Sequence, residues 1–134
     1  MKLTETTIRN LIEKGASRWA KGDHDRLYLN GAAKEIVGLE TEHYNSGNIR
    51  SATLKGEKIS NSRARRISDV ICSAYIDLNT GKLYGRTRGD SMDMLRAALD
   101  DLLLEAAERE AAEAAVGGPL TDAEWAAARA AELA

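Results

Sequence analysis

Cysteine and aromatic residues are scarce in this chain of 134 residues, and each shortage excludes something. The single cysteine, Cys72, excludes an internal disulfide and a multi-cysteine zinc site, and it fits a reducing compartment. With no phenylalanine, two tryptophans and four tyrosines, the core has to be mainly aliphatic. No run approaches the roughly 20 apolar residues of a membrane span. Residues 1–5 also lack the apolar stretch of a signal peptide. We therefore expect a cytoplasmic protein without membrane contact.

The residues that usually form catalytic and metal sites are also few. Two histidines and one cysteine do not make a convincing metal-binding set. Asp23-His24-Asp25 is the one cluster of histidine with carboxylates, and consecutive residues rarely converge as catalysis requires. Gly81–Gly85 lacks the spacing of a phosphate-binding loop. We expect no enzyme activity, no metal and no cofactor, with Asp23-His24-Asp25 in a plain loop.

Charge is plentiful but unevenly distributed along the chain. Residues 1–90 hold 16 Lys/Arg against 11 Asp/Glu, a net charge of +5, whereas residues 91–134 hold 3 against 10, a net charge of −7. The break coincides with a change from mixed composition to alanine, leucine and acidic residues. Such asymmetry indicates either a charged partner or two surfaces that neutralise each other.

Periodicity and capping signals predict an α+β fold. Thr4 is placed to cap the first helix, and Gly38 to end the second. The predicted elements are a helix over 5–14, a polar loop over 17–26, a strand over 26–30, a helix over 32–37, a strand over 49–54, a helix over 61–68 and a hairpin over Val70–Arg88.

The hairpin register follows from its pattern of side chains. A four-residue loop over 78–81 places Tyr75 opposite Tyr84 and Ser73 opposite Arg86. Cys72 then falls on the apolar face and is expected to be a core residue. A three-residue loop would put Lys82 and Arg86 among apolar side chains, so it is rejected.

The acidic part of the sequence predicts two helices. A long helix from Asp90 or Ser91 to about residue 115 carries an apolar stripe that includes Leu95 and Leu99. Gly117-Gly118-Pro119 ends it, and Thr121 with Glu124 forms a capping box for a last helix. We expect a domain over 1–88, with a small, mainly antiparallel sheet and short helices. The long acidic helix over 89–116 packs on this domain, and 117–134 form the C-terminal segment.

Two leucines and a tryptophan in these helices lack an obvious place in one small domain. Leu103 and Leu104 widen the apolar stripe of the long helix, and Trp125 has no partner within its own helix. Burial of these side chains between two copies would favour a homodimer formed through the C-terminal helices.

Two charged surfaces are candidates for contact with a partner. Arginine and tyrosine on a sheet can contact phosphates and stack on bases, although the arginines can equally be solvated or pair with the acidic helix. The basic candidates are Arg63, Arg66, Tyr75, Tyr84, Arg86 and Arg88. A row of carboxylates can mimic nucleic-acid phosphates, although Arg96 is spaced to pair with Asp93 and Asp100 in the ordinary way. The acidic candidates are Asp100, Asp101, Glu105 and Glu108.

Two segments, Gly56–Ala64 and Ala74–Tyr84, carry a resemblance to known proteins. Over about residues 21–88 the chain resembles small accessory proteins of phages and mobile elements, including anti-CRISPR and other anti-defence inhibitors. The resemblance transfers no functional residue. It implies a non-catalytic inhibitor that covers a surface of a host nucleic-acid-handling complex, so that the partner is a protein or nucleoprotein. The residues themselves leave open a nucleic-acid- or nucleotide-binding regulatory module that uses the basic surface.

Overall fold

A computed structural model describes residues 3–133 of the chain. The chain divides into two compact units, Met1–Asp100 and Asp101–Ala134. The described residues form five helices and two small antiparallel sheets, so the predicted α+β class is confirmed. In chain order, the elements are α1 (Glu5–Glu13), β1 (Ser17–Lys21), β2 (His24–Tyr28), α2 (Gly31–Val37), β3 (Leu39–His43), β4 (Ile49–Leu54), β5 (Glu57–Lys58), α3 (Asn61–Ile71), β6 (Tyr75–Asp77), β7 (Leu83–Tyr84), α4 (Asp90–Val116) and α5 (Asp122–Leu133).

The larger sheet has the strand order β1-β2-β6-β7, with every neighbouring pair antiparallel. The predicted loop over 17–26 is wrong, because these residues form a β-hairpin with Gly22 and Asp23 as its two-residue turn. Gly22 has a φ of 60°, which a type II′ turn requires at its first central position. Lys21 and His24 close the hairpin as the last pair.

The predicted hairpin over Val70–Arg88 is right in its turn and register but wrong in its extent. Tyr75 pairs with Tyr84, and the Asp77 N–H donates to the Lys82 carbonyl at 2.9 Å. However, α3 continues to Ile71, because its apolar side chains keep helical spacing beyond the predicted end. Cys72 is consequently the half-buried C-cap of α3 and not a strand residue.

The smaller sheet joins β3, β4 and β5, and β3 was not predicted. Its pairing runs from Leu39 opposite Leu54 to His43 opposite Ile49, with an irregularity between Glu42 and His43. Of the five β3 residues, Leu39 is the buried one, so the alternation that marks a strand is weak in this sequence.

The core of the first unit is aliphatic, as the composition predicted. The largest fully buried side chains are Leu11, Leu27, Leu29, Val37, Ile71, Ile76 and Leu95. Leu27 and Ile76 are neighbours across β2 and β6, so the larger sheet presents one face to this core. Leu95 and Leu99 of the predicted apolar stripe are buried near the start of α4, and Met92, which was not predicted, is buried with them.

The second unit is a helical hairpin made of the end of α4 and of α5. The predicted capping box is confirmed, because Thr121 and Glu124 exchange backbone-to-side-chain hydrogen bonds of 3.1 and 3.2 Å. Trp125 is 8% exposed, its indole N–H donates to Glu105 at 3.3 Å, and the Arg129 guanidinium lies 5.4 Å from its ring. The expectation that Trp125 lacks a partner within its own helix is therefore wrong, because Arg129 lies on the same helix. Across the described residues, no helix combines the length and the apolar character needed to cross a bilayer.

Candidate functional site

One face of the larger sheet carries most of the aromatic residues of the protein. Side chains two apart on a strand share a face, and directly paired residues on neighbouring strands do too. Trp19 pairs with Arg26, Tyr28 with Tyr75, and Tyr75 with Tyr84. The register therefore places Trp19, Arg26, Tyr28, Tyr75 and Tyr84 on one side of the sheet, and we call this surface the aromatic face.

Three tyrosines form a continuous row across β2, β6 and β7. The ring centroids of Tyr28 and Tyr75 are 5.3 Å apart with an interplanar angle of 44°. Those of Tyr75 and Tyr84 are 5.4 Å apart at 20°, close to parallel stacking. Both distances lie in the range that favours aromatic pairs, so the row holds its rings in fixed orientations.

Arg26 connects this row to the tryptophan on β1. Its guanidinium carbon lies 4.7 Å from the centre of the Tyr75 ring and 5.7 Å from that of Trp19, so it makes cation–π contacts with both. Its Nη1 donates to the Tyr28 hydroxyl at 3.2 Å. This hydrogen bond is the main cause that raises the pKa of Arg26, to which Asp77 adds through its charge. The His24 ring also stacks on Trp19, with the ring centroids 6.4 Å apart.

The two ends of the aromatic face are open to solvent. Trp19 is 42% exposed and Tyr84 is 41% exposed, whereas Tyr28, Tyr75 and Arg26 between them are half-buried. Four of the six aromatic residues of the chain lie on this face, while the opposite face buries aliphatic side chains. Aromatic rings usually contribute to the core of a protein. Here, in contrast, they form a surface with exposed rings at both ends.

The Asp23-His24-Asp25 cluster is divided by the hairpin that contains it. Asp23 lies in the turn, whereas His24 stacks on Trp19 at the aromatic face. Asp25 pairs with Ala20 on the other face, where both of its carboxylate oxygens accept from Arg18 at 3.0 and 2.8 Å. The expectation of a plain loop is wrong. Because His24 and Asp25 lie on opposite faces of the sheet and Asp23 lies in the turn, the three residues do not form one site.

The structure brings together only part of the basic set predicted from the sequence. Tyr75 and Tyr84 lie on the aromatic face as predicted. Arg63 and Arg66 are exposed on α3, three residues apart. Arg86 and Arg88 do not project from the hairpin, because β7 ends at Tyr84 and both follow it in an exposed, irregular segment. Within the described part of the first unit, these four arginines make no ion pair or cation–π contact.

Sequence reasoning missed Trp19, Arg26 and Tyr28 as members of the site. A local signal was present, because Gly-Asp is a common two-residue hairpin turn. Placing Gly22-Asp23 at the turn puts Trp19 and Lys21 on the same side as His24, Arg26 and Tyr28. The pairing of β2 with β6, which joins these residues to Tyr75, has no signal in the local sequence.

The acidic candidates divide into two pairs. Asp100 and Asp101 are exposed on α4. Glu105 accepts from the Trp125 indole, and Glu108 accepts from Arg129 at 2.9 Å. Arg96 pairs with Asp93 at 3.5 Å, which is one of the two ordinary pairings considered from the sequence. Half of the predicted acidic surface is therefore engaged in holding the helical hairpin together.

The aromatic face offers aromatic rings, a guanidinium and one carboxylate. The carboxylate belongs to Asp77 of β6, which lies directly opposite Arg26 of β2 in the sheet register. Such groups bind and orient planar ligands. Within residues 3–132, no three histidine, cysteine or carboxylate side chains cluster as a metal site would require. Comparisons with protein-family models, with curated proteins and with solved structures find no match for this chain.

Proposed function

We propose that the protein binds single-stranded nucleic acid through the aromatic face. The observation that supports this most directly is the row of rings with exposed Trp19 and Tyr84 at its two ends. Every base has a π-face, and stacking on an aromatic side chain stabilises a complex by about 1–3 kcal/mol per base. Exposed rings on an antiparallel sheet are a common means of binding unpaired bases.

Charge around the aromatic face favours a polyanion. Lys21 is exposed at the Trp19 end and Lys82 is exposed beside β6, while Arg26 lies between the two ends. The first unit as a whole holds 17 Lys/Arg against 13 Asp/Glu, a net charge of +4. Phosphate contacts made by such side chains release counterions, so we expect the affinity to fall steeply as salt rises.

The ligand has to be single-stranded for the rings to act in this way. Bases in a duplex are stacked on one another and hide their faces, whereas bases in loops and single strands can be splayed onto aromatic side chains. The aromatic face carries no helix that could enter a groove. We therefore expect weaker binding to a duplex of the same length at the same salt concentration.

Binding can be measured by fluorescence anisotropy with fluorescein-labelled ten-residue oligouridylate and oligothymidylate. We expect Trp19→Ala and Tyr84→Ala each to weaken binding by about 5- to 150-fold, the equivalent of one lost stacking contact. Tyr44→Ala is the matched control, because Tyr44 is 57% exposed but follows β3 of the smaller sheet and is not a residue of the aromatic face. Unchanged affinity in both Trp19→Ala and Tyr84→Ala, or an equal loss in Tyr44→Ala, would contradict the proposal.

Inhibition of a host nucleic-acid-handling defence complex stays a prediction. It is favoured by the composition of the aromatic face, since tryptophan, tyrosine and arginine are also enriched where proteins bind one another. The version based on phosphate mimicry now rests on Asp100 and Asp101, because Glu105 and Glu108 have intramolecular partners. Cytoplasmic location stays a prediction as well. Homodimer formation also stays a prediction, and Leu104, one of the side chains expected to be buried between two copies, is 58% exposed in the single chain.

A further inference from the structure

In the middle of the aromatic face, the rings cover one another. The Tyr75 ring centroid lies 5.3 Å from that of Tyr28 and 5.4 Å from that of Tyr84, and the Arg26 guanidinium carbon lies 4.7 Å from the Tyr75 centroid. A base inserted between two rings would need them roughly 7 Å apart, twice the stacking rise of about 3.4 Å. The middle of the face therefore has no room for an incoming base to stack.

The two ends of the aromatic face are open. Trp19 lies on β1 and Tyr84 on β7, which are the edge strands of the larger sheet. The groups that contact the Trp19 ring, His24 and Arg26, both belong to β2. The Tyr75 ring, which stacks on Tyr84, belongs to β6. The inner sides of these two end rings are thus occupied, whereas their outer sides lie towards the sheet edges, where a base can reach them.

The geometry of the sheet sets the distance between the two end rings. They lie three strand spacings of about 4.8 Å apart across the sheet. Along the strands they are offset by two residues, because Trp19 pairs with Arg26, whereas Tyr84 is in register with Tyr28 through Tyr75. Two residues correspond to about 6.8 Å, so the backbone positions of the end rings are about 16 Å apart. Bases stacked on their outer sides lie somewhat further apart.

Neighbouring nucleotides of one strand cannot bridge this distance. Stacked nucleotides advance about 3.4 Å each, and an extended strand advances about twice as far per nucleotide. Two adjacent bases can therefore reach only one end ring, whereas bases three or four steps apart can reach both. Once one base has bound, the second binds intramolecularly, so that both stacking contacts add to the affinity for the same strand.

We propose that Trp19 and Tyr84 hold two separated bases of the same strand, and that the nucleotides between them pass over the middle of the aromatic face. This inference rests on the proposed function and specifies its ligand. The ligand is an oligonucleotide of about four or more residues, in preference to a mononucleotide or a dinucleotide.

The spacing can be tested with two ten-residue oligodeoxynucleotides of equal length and charge. Each carries two thymines among stable abasic residues, at positions 3 and 7 in the first oligomer and at positions 5 and 6 in the second. Both compete with fluorescein-labelled oligothymidylate in the anisotropy measurement. We expect the oligomer with separated thymines to bind at least about fivefold tighter, because it engages a second ring.

Substitution of either end ring should remove this difference. In Trp19→Ala and in Tyr84→Ala one end ring is left, so each oligomer makes one stacking contact and the two affinities should agree within about twofold. Tyr44→Ala removes a 57% exposed ring that does not belong to the aromatic face, so it is the control and should keep the difference.

The outcomes separate this inference from the proposed function. Equal affinity of the native protein for both oligomers, with retained binding of oligothymidylate, would overturn the two-base arrangement and leave single-strand binding intact. A difference that persists in both Trp19→Ala and Tyr84→Ala would overturn the assignment to the end rings. Absence of binding to oligothymidylate would overturn both proposals.

Discussion

Arg18 illustrates how much a single residue contributes to the position of the aromatic face. Its guanidinium binds both oxygens of Asp25 within the β1–β2 hairpin and reaches Glu5 of α1 at 3.2 Å. The bidentate geometry makes this the best-oriented ion pair of the first unit. Because Arg18 lies on the face opposite Trp19, the same strand is held by a charge on one side and presents an aromatic ring on the other.

The contact between Arg18 and Asp25 makes the stability of the protein depend on pH in the acidic range. The hydrogen bond from Arg18 holds the pKa of Asp25 below its ordinary value, despite some opposing desolvation. The contribution of Asp25 to stability is therefore fully present above its unfolded pKa of about 3.9, and it is lost as pH falls through the lower folded pKa. We expect Arg18→Met to remove this part of the decrease in the free energy of unfolding at low pH, as measured by urea unfolding between pH 2 and pH 6.

Lys21→Met is the control for that measurement, because Lys21 is an exposed cation on the same strand and makes no ion pair with a described residue. It should leave the pH dependence unchanged. The same dependence in the native protein and in Arg18→Met would contradict the prediction, as would an ordinary pKa for Asp25 in an NMR titration of the native protein.

Elements were predictable where the signal is local. Thr4 caps α1 through a 3.2 Å hydrogen bond that its side chain accepts from the Thr7 N–H, and Thr121 and Glu124 cap α5 as their spacing indicated.

The strands β1 and β3 were missed because most of their residues are exposed and no apolar alternation marks them. The predicted register of β6 and β7 correctly places Tyr75 opposite Tyr84. Its extension to Ser73 opposite Arg86 is wrong, because β7 ends at Tyr84. The remaining members of the site depend on a pairing between residues about fifty positions apart, which no local pattern encodes.

The end of α2 depends on a conformation that suits only glycine well. Gly38 has a φ of 78°, and a β-carbon there would lie 3.3 Å from the Lys55 side chain. We expect Gly38→Ala to lower the free energy of unfolding by about 1–2 kcal/mol, because a left-handed conformation is costly for alanine. Gly31→Ala, at the first residue of the same helix and in open space, should leave stability unchanged or raise it slightly. Thermal unfolding of the two variants should therefore shift differently, and equal melting temperatures would disprove the argument.

At the scale of the whole molecule, the two units carry opposite net charges. The first unit has a net charge of +4, and the second holds 2 Lys/Arg against 8 Asp/Glu, a net charge of −6. The two arginines of the second unit are both in ion pairs, with Asp122 and with Glu108. Most of its carboxylates therefore remain uncompensated, and their field opposes the approach of a polyanion to the chain.

Removal of some of this charge should strengthen the binding of single-stranded nucleic acid. Asp101 and Glu110 are exposed on α4 and make no ion pair within the described residues. We expect the double variant Asp101→Asn/Glu110→Gln to bind oligothymidylate about twofold tighter at 10 mM salt, and with unchanged affinity at 0.3 M salt, where screening is short-ranged. Ala111→Ser, an exposed uncharged position on the same helix, is the control. A gain of affinity that persists at high salt would show that the effect is not a long-range electrostatic one.

The strand that carries Trp19 is also the edge of its sheet. Only one side of β1 is paired, and all five of its residues are exposed, so its outer backbone groups are a template for another strand. Arg18 on this edge is neutralised by Asp25 and Glu5, but Lys21 makes no ion pair with a described residue and leaves an exposed positive charge there, which disfavours pairing with a second copy. The edge therefore resists lateral growth into a filament. If the aromatic face binds nucleic acid as we propose, a long single strand would be covered by separate molecules, each with its own short footprint.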